Sequence, residues 1–272
     1  MTPPTASAGT SPAAAAVRIE PVPAFRDNYI WLLERGGRAA VVDPGEAAPV
    51  LQLLAARQLR LDAILLTHHH SDHVGGVADL VRAHPARVYG PAHSPFTAID
   101  VRLGDGDAVT VLGVAFAVLA VPGHTLDHIA YWSREEATLF CGDTLFACGC
   151  GRLFEGSAAQ MASSLARLAA LPGSTRVYCA HEYTLSNLRF ALAVEPDNAE
   201  LLRRRDDSVA LREQGQATVP STIALELATN PFLRCSVPAV QAAALRHQPG
   251  AFDSPADPTA VFATLRAWKD RY

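Results

Sequence analysis

The side chains best suited to chemistry are concentrated in one short segment, which contains four histidines and one aspartate within six residues. Neutral imidazoles beside a carboxylate suit zinc or iron better than calcium or magnesium. In this His-x-His-x-Asp-His pattern, His68 and His70 lie two residues apart and could face one ion. Asp72 and His73 could face a second ion. The segment is therefore a candidate metal site.

The surrounding residues place this segment at the end of a strand. The apolar run from Ala63 to Leu66 predicts a short buried strand, and Val77, Leu80 and Val81 indicate that a helix follows. His69 has no assigned partner in the pattern. The alternative, a surface loop that is merely rich in histidine, is disfavoured because so many ligand types at one strand end are rare by chance.

Three further predicted strand ends carry one ligand-type residue each, namely His124, Asp143 and His181. Each is a weak candidate alone. Side chains from several strand-end loops on a rigid sheet, however, often form one functional site. Together with the first segment they make seven ligands, enough for two ions that share one carboxylate.

Three other polar residues need separate interpretation. Asp43, which follows a predicted strand, could be a turn residue or a carboxylate that accepts the N–H of a metal-bound imidazole. His93 lies among prolines and serines, and we expect it on the surface. His128 leads into an apolar run, and we expect it to have a structural role.

The composition excludes several classes of protein. With 272 residues, 49% of them hydrophobic, the chain can form one large domain or a domain with a smaller appendage. The net charge of −4 offers no basic surface for nucleic acid. The basic triplet Arg203–Arg205 is expected to be a solvated helix face. No window reaches the roughly 18 consecutive apolar residues of a membrane helix, so we expect no membrane partner.

The N-terminal segment and the cysteines favour a cytoplasmic location. Residues 1–16, rich in Ala, Pro, Ser and Thr, fit neither a secretory signal nor an Arg-rich transit peptide and predict a flexible tail. Five sparsely placed cysteines in a chain of this length favour a reducing compartment. Cys148 and Cys150 are too close in sequence for the usual zinc pair and are expected to be core or loop thiols.

Strands and helices alternate in the first two thirds of the chain, whereas only helices are predicted in the rest. The strand signals cover 17–22, 29–33, 39–42, 61–66, 87–89, 108–112, 114–121, 138–140 and 176–179. Helices are predicted at 49–57, after residue 73, and after the capping box Ser157-x-x-Gln160. The later helical signals cover 184–194, 198–214, 221–228, 238–247 and 258–271. We therefore predict a catalytic domain at 17–182 and a mostly helical domain at 183–272.

These motifs resemble those of a known family. The His-x-His-x-Asp-His element is similar to that of the metallo-β-lactamase superfamily. The stretch from Asp143 to Gly156, with the tail motifs Pro220–Thr222 and Asn230–Phe232, resembles glyoxalase II, the hydroxyacylglutathione hydrolase family. The resemblance extends from Phe25 to the C-terminus and includes Val42–Gly45, Pro122–Thr125 and Tyr178–Tyr183.

The resemblance implies an α+β fold, an αββα metallo-β-lactamase sandwich with a C-terminal helical domain that binds substrate. It also implies two divalent metal ions, with zinc favoured and iron or manganese as alternatives. The ligands implied for the first ion are His68, His70 and His124, and those implied for the second are Asp72, His73 and His181. Asp143 would bridge the two ions.

By the same resemblance the substrate is S-D-lactoylglutathione, which a metal-bridging hydroxide would cleave to D-lactate and glutathione in methylglyoxal detoxification. Asp72 and Asp143 would be the catalytic residues. The implied contacts with glutathione are Arg152, Tyr183, Arg266 and Lys269. Phe154 departs from the pattern, because some members have a tyrosine there whose hydroxyl contacts the peptide. Loss of that hydrogen bond would weaken binding by on the order of 0.5–1.5 kcal/mol.

Two alternative functions remain open. A glutathione persulfide dioxygenase with a single iron shares the metal loop, but the long helical tail favours the hydrolase. A non-catalytic metal-binding relative is the second alternative, and the complete ligand set disfavours it. The lack of a Gly-x-Ser-x-Gly motif agrees with metal-dependent rather than covalent hydrolysis. The expected partner is a small thioester, and we expect the chain to be a monomer.

Overall fold

The computed structural model describes residues 16–253 and 257–272, so nearly all of the predicted N-terminal tail lies outside the described residues. Six strands in chain order form the first sheet. They are β1 (Arg18–Ala24), β2 (Asn28–Arg35), β3 (Arg38–Val42), β4 (Arg60–Leu65), β5 (Arg87–Pro91) and β6 (Val101–Leu103). Strands β1 to β3 are antiparallel, whereas β3 to β6 are parallel. The metal-site segment therefore follows a central parallel strand.

The later strands form a second sheet and a separate hairpin. They are β7 (Ala108–Val111), β8 (Val114–Ala120), β9 (Ile129–Ser133), β10 (Thr138–Gly142), β11 (Leu145–Phe146), β12 (Gly149–Cys150), β13 (Arg176–Cys179) and β14 (Ser221–Thr222). The second sheet has the order β14-β13-β10-β9-β8-β7, and β11 pairs only with β12. Strands β10 and β13 are parallel, which brings their carboxyl ends to the same edge.

Helices lie on the outer faces of both sheets and form most of the C-terminal region. They are α1 (Ala48–Arg57), α2 (Ser71–Val74), α3 (Val77–Ala83), α4 (Ala158–Ala169), α5 (Thr184–Val194), α6 (Ala199–Glu213), α7 (Ile223–Thr229), α8 (Pro238–His247) and α9 (Pro258–Asp270), with a 3-10 helix at Pro231–Leu233. The capping box predicted at Ser157 and Gln160 is present at the start of α4. In the described part of the chain, no helix is long and apolar enough to cross a bilayer.

The side chains of β2, which point alternately to its two faces, show how the layers are built. Trp31 and Leu33 point into the core between the two sheets, whereas Ile30 and Leu32 point into a second core beneath α1 and α3. Side chains alternate between the faces of a strand, so a strand apolar at every position must be covered on both faces. The layers are therefore helix, sheet, sheet and helix, and the predicted αββα fold is confirmed.

The helix predicted after the histidine segment is divided into two short helices. Gly75 and Gly76 separate α2 from α3. A Cβ atom added at Gly76 would lie 2.6 Å from the backbone nitrogen of Ala47. Glycine at this position therefore lets the histidine loop pack directly against the chain that follows β3.

The C-terminal region is mostly helical, as predicted, but the helix predicted from residue 221 begins at Ile223, because Ser221 and Thr222 form β14, which pairs with β13 and extends the second sheet. One expectation about this region was wrong in part. The triplet Arg203–Arg205 is not uniformly solvated, because Arg204 is only 5% exposed and forms an ion pair with the fully buried Glu226. A buried partner far away in sequence leaves no local signal at an arginine on a polar helix.

Candidate metal centre and active site

The side chain of Asp43 anchors the loop after β4 through hydrogen bonds from Thr67. The carboxylate of Asp43 accepts hydrogen bonds from the main-chain N–H of Thr67 at 2.8 Å and from its hydroxyl at 2.7 Å. Its Oδ2 atom also lies 3.1 Å from Nδ1 of His73. Asp43 has a left-handed φ of 52°, so it is a turn residue as well. Asp43 is therefore a turn residue, and its carboxylate lies beside His73, in the position that the second role considered for it requires.

One group of ligand atoms comes from two loops. The ligand atoms of His68, His70 and His124 lie within 4.8 Å of one another. Nδ1 of His124 lies 2.8 Å from the carbonyl oxygen of Arg152, which can only accept, so this nitrogen carries the proton. Nε2 of His124 is therefore a lone-pair donor, and it lies 3.0 Å from Nδ1 of His70. Two imidazole nitrogens so close together require a proton or a cation between them.

A second group lies beside the first. Oδ2 of Asp72 is 3.4 Å from Nε2 of His73 and 3.6 Å from Nε2 of His181. Nδ1 of His181 lies 3.1 Å from Oδ1 of Asp27. The side-chain amide of Asn28 donates to Oδ2 of Asp72 at 3.0 Å. Asp72 and His181 therefore each have a polar partner outside the group that helps to fix their orientation.

The carboxylate of Asp143 lies between the two groups. Its Oδ1 atom is 3.3 Å from Nε2 of His181 and 3.5 Å from Nε2 of His73. Its Oδ2 atom is 3.4 Å from Nε2 of His124. One oxygen thus faces each group, which is the arrangement that a bridging ligand requires. The structure brings all seven sequence-predicted ligands to this one place.

The donor set fits divalent cations. Nε2 of His68, His73 and His181 and Oδ1 of Asp143 are buried and have no hydrogen-bond partner among the described residues. Leaving a buried polar atom unpaired costs about 1–3 kcal/mol each. Three imidazoles and a carboxylate converging in this way match the ligands of zinc and related ions. Cations at this position would satisfy all four atoms.

The electrostatics of the site agree with cation binding. Burial and the neighbouring His73 lower the pKa of His68 well below its usual value, so His68 is a neutral donor. Burial opposes ionisation of Asp143, but the imidazoles of His181 and His73 outweigh it and hold its pKa well below the usual carboxyl range. Burial alone would lower the pKa of His73, but the carboxylates of Asp143 and Asp43 outweigh this effect and raise it. The buried carboxylates thus draw positive charge into the site.

A cleft of about 390 Å³ adjoins the metal centre, and all four residues predicted to bind substrate line it: Arg152, Tyr183, Arg266 and Lys269. The ring of Tyr183 stacks on that of His181 at 4.6 Å. Phe154 is 61% exposed and packs edge-on against His124 at 5.2 Å. Aromatic rings therefore flank the opening of the site.

The basic side chains that line the cleft differ in how accessible they are to a bound ligand. The Arg152 side chain is 66% exposed, and the half-buried Lys269 donates to the carbonyl of Ser186 at 3.2 Å. Arg266 is only 5% exposed. Its guanidinium donates to the carbonyl of Cys150 at 2.9 Å and to Asp270 at 3.0 Å. Arg266 therefore supports the wall of the cleft, a placement that the sequence did not predict.

Sequence reasoning gave no role to several supporting residues. Asp27 lies in the turn before β2 and Asn28 is the first residue of that strand, both within a motif noticed only for its resemblance. His69 lies between two carboxylates, with Nδ1 3.0 Å from Asp127 and Nε2 3.3 Å from Glu155. These contacts join segments far apart in the chain, so only the fold reveals them. The expectations for two other histidines agree with the structure: His93 is exposed and His128 is buried.

The fold and the donor set are those of the metallo-β-lactamase superfamily. Residues 24–181 match the family model described as the metallo-beta-lactamase superfamily. Residues 182–272 match a second model, described as the hydroxyacylglutathione hydrolase C-terminus. The two matches are adjacent along the chain.

Full-length relatives identify the family. The chain is 58% identical over 259 residues to a hydroxyacylglutathione hydrolase of Ectopseudomonas mendocina, covering 94% of this chain and 100% of the relative. It is 53% identical over 261 residues to the enzyme of that name from Dechloromonas aromatica, covering 92% and 98%. The chain therefore belongs to the hydroxyacylglutathione hydrolase family, glyoxalase II, and is a thioester hydrolase.

Two solved structures share the fold of this chain. ETHE1 from Myxococcus xanthus superposes with a TM-score of 0.62 at 26% identity, covering 94% of this chain and 98% of that protein. The protein TTHA1623, crystallised in a di-iron-bound form, superposes with a TM-score of 0.57 at 30% identity, covering 79% and 100%. The likeness to ETHE1 lies in the shared fold, whereas the hydrolase relatives share more than half of their residues with this chain.

Proposed function

We propose that this protein hydrolyses S-D-lactoylglutathione to D-lactate and glutathione, as a step in methylglyoxal detoxification. The observation that carries the proposal is the position of Asp143, whose two oxygens face His181 and His124 at 3.3 and 3.4 Å. This centre lies beside a cleft that contains Arg152 and Lys269. Glutathione has carboxylates that such cations bind, and its thioester would lie next to the histidine groups.

We propose that two divalent ions occupy the centre. His68, His70 and His124 would hold one, Asp72, His73 and His181 the other, and Asp143 would contact both. Zinc is our first choice because imidazole and carboxylate suit it, and iron or manganese accept the same ligands. The di-iron-bound relative supports two ions and keeps iron as an alternative. Bound ions would activate water at neutral pH and polarise the thioester carbonyl.

Two aspartates of the site would position the reacting groups. The Asp72 side chain is 41% exposed, much more than that of Asp143 at 9%, so Asp72 faces the opening. Burial opposes ionisation of Asp72, but His73 and Asn28 lower its pKa and keep it a carboxylate. We assign Asp72 the role of orienting the attacking water. Asp143 would hold the two groups of metal ligands in fixed positions relative to each other. A thiolate is a good leaving group, so no strong general acid is required.

The region 183–272 would bind the peptide part of the substrate. Lys269 and Arg152 would meet carboxylates, and the hydroxyl of Tyr183 would donate a hydrogen bond at the mouth of the site. Arg266 would act by supporting the cleft wall through the carbonyl of Cys150. We further propose that the protein acts in the cytoplasm, since all five cysteines are unpaired and buried, and that it acts as a monomer.

One assay separates the hydrolase from the dioxygenase alternative. Metal-loaded protein is mixed with S-D-lactoylglutathione while released thiol is measured, and in parallel with glutathione persulfide while oxygen uptake is measured. We expect thiol release without oxygen uptake. Oxygen uptake with no thiol release would overturn the proposal.

A further inference from the structure

The hairpin formed by β11 and β12 joins two parts of the metal centre. It begins two residues after Asp143 and ends two residues before Arg152, whose carbonyl accepts the hydrogen bond from His124. A Cβ atom added at Gly151 would lie 1.9 Å from the carbonyl oxygen of Asp143 and 3.1 Å from Nδ1 of His124. The hairpin is thus in close contact with a candidate ligand at each end, and a shift of the hairpin would move both.

The main-chain carbonyls of the hairpin are bound by side chains of the C-terminal region. The amide of Asn230 donates to the carbonyl of Phe146 at 3.2 Å and to that of Gly149 at 2.9 Å. The amide of Asn187 donates to the carbonyl of Ala147 at 3.0 Å. Asn230 is fully buried and Asn187 nearly so. A buried carbonyl must be paired, so these two amides determine where the hairpin can lie.

A buried ion pair binds the turn of the same hairpin. Cys148 has a left-handed φ of 58°, and its main-chain N–H donates to Oε2 of Glu226 at 2.8 Å. The other oxygen of Glu226 accepts from Arg204 and from the hydroxyl of Ser221. Glu226 is fully buried and Arg204 is 5% exposed. A buried ion pair adds little net stability over apolar side chains of similar volume, so its placement against a turn points to a positional role.

This arrangement gives a role to both tail motifs that the sequence analysis singled out. Ser221, in the first motif, hydrogen bonds to Glu226. Asn230, in the second, uses Oδ1 to accept the N–H of Phe232 at 3.1 Å, which leaves its amide group for the hairpin. The amide of Asn230 also donates to Glu226 at 3.0 Å. The two motifs and the ion pair therefore form one connected network behind the hairpin.

We infer that Asn230 and Glu226 are positioning residues of the metal centre: from the C-terminal region, they hold the β11–β12 hairpin so that Asp143 and the His124–Arg152 contact keep their places. The inference rests on the proposed metal centre but not on the proposed substrate. Loss of supporting contacts around metal ligands typically lowers metal affinity by about 10- to 100-fold. Asn230→Ala should therefore lower metal affinity about tenfold or more.

The test measures cobalt(II) binding by titration of metal-free protein, with the visible spectrum of the bound cobalt as a report of ligand geometry. The matched control is Asn198→Ala. Asn198 lies in the same region, caps α6 and donates to the carbonyl of Ala228 at 3.1 Å, without contact to the hairpin. We expect Asn230→Ala to weaken cobalt binding and change the spectrum, and Asn198→Ala to change only the melting temperature. Equal cobalt affinity and spectrum in folded Asn230→Ala and wild type, or equal loss in both variants, would overturn the inference.

Two double variants test the same inference if Asn230→Ala does not fold. Arg204→Met with Glu226→Gln removes both buried charges but keeps an oxygen that accepts the N–H of Cys148. Arg204→Met with Glu226→Leu removes the charges and that acceptor as well. We expect wild-type cobalt binding in the first double variant and at least tenfold weaker binding in the second. The same affinity in both would show that the network stabilises the fold without positioning the centre. Failure of the wild type to bind cobalt would instead contradict the proposed function.

Discussion

The main-chain N–H of Asp143 donates a hydrogen bond of 3.0 Å to Nε2 of His128. Nδ1 of His128 lies 3.0 Å from the carbonyl oxygen of Ile129, so the proton is on Nδ1 and Nε2 is the acceptor. Burial, together with the neighbouring His124, lowers the pKa of His128 to about 3, so the ring is neutral at working pH. A histidine that is not among the proposed ligands thus orients the residue between the two ligand groups.

Replacing His128 with phenylalanine should destabilise the protein and weaken metal binding. The substitution preserves a ring but leaves the buried N–H of Asp143 without an acceptor, at a cost of about 1–3 kcal/mol. Urea denaturation of metal-free protein measures this loss, and His93→Phe is the control because His93 is exposed. Equal stability of the two variants would show that the hydrogen bond to Asp143 contributes nothing.

The sequence predicted that the candidate ligands would lie together because each lies in a loop that follows a predicted strand, and the ends of neighbouring strands meet at one edge of a sheet. His124 and His181 were found in this way. The supporting carboxylates were harder to assign: Asp27 lies 154 positions from His181 in the chain, and no local pattern marks such a contact.

Long-range burial explains the other differences between sequence and structure. Arg204 lies on a polar helix, and only its partner Glu226 reveals that it is buried. Strand β14 has just two residues, too few for an alternating pattern. The side-chain environment of Arg266 depends on the carbonyl of Cys150, which is 116 positions away. In each case the information lies in how distant segments meet.

Asp143→Asn should lower kcat by orders of magnitude while the fold is retained. The amide has nearly the same shape but lacks the negative charge that both groups of imidazoles face. Two cations would then lie close together without a shared anion. Metal analysis and kcat are measured on the same sample, and circular dichroism checks the fold. Near-normal turnover with two ions bound would contradict a bridging role for Asp143.

Removing metal should lower the melting temperature. Cations bind the folded site but have no assembled site in the unfolded chain, so they stabilise by mass action, about 2.7 kcal/mol at 100 times Kd. The buried nitrogens of His68 and His181 lose their partner when the metal leaves. Chelated protein is melted with and without added zinc, and His68→Gln is expected to reduce the shift. A melting temperature that does not respond to zinc would contradict a metal centre at these residues.

Arg266 and Lys269 should behave differently when each is replaced by methionine. Arg266 is buried against the carbonyl of Cys150, so Arg266→Met should lower both stability and kcat through the cleft wall. Its loss leaves a buried carbonyl unpaired, which costs about 1–3 kcal/mol. Lys269→Met should chiefly raise KM, because a contact made in ground and transition states alike changes binding only. Identical kinetic effects of the two substitutions would show that both residues contact substrate directly.

The last prediction concerns pH and Lys269. Burial, together with the charges of Arg266 and Arg189, lowers the pKa of Lys269 to about 8, whereas the nearby Asp270 acts in the opposite direction. Lys269 therefore loses its charge as the pH rises from 7 to 9, and its attraction for a substrate carboxylate is lost with it. We expect KM for the glutathione thioester to rise severalfold over this range while kcat stays nearly constant. Global unfolding is not the cause, since the lysine is protonated more readily in the unfolded chain, and its deprotonation favours the folded state.

Lys269→Arg provides the matched control, because a guanidinium keeps its charge throughout this pH range. Its KM should be nearly independent of pH between 7 and 9, and at pH 9 the variant should bind the thioester more tightly than the wild type does. Initial rates are measured at each pH, with the rate of enzyme-free hydrolysis subtracted. Added salt should reduce the difference at pH 7, because half-buried charges are partly screened. If KM of the arginine variant rises in parallel with that of the wild type, then a group other than Lys269 titrates, and this lysine does not bind the substrate.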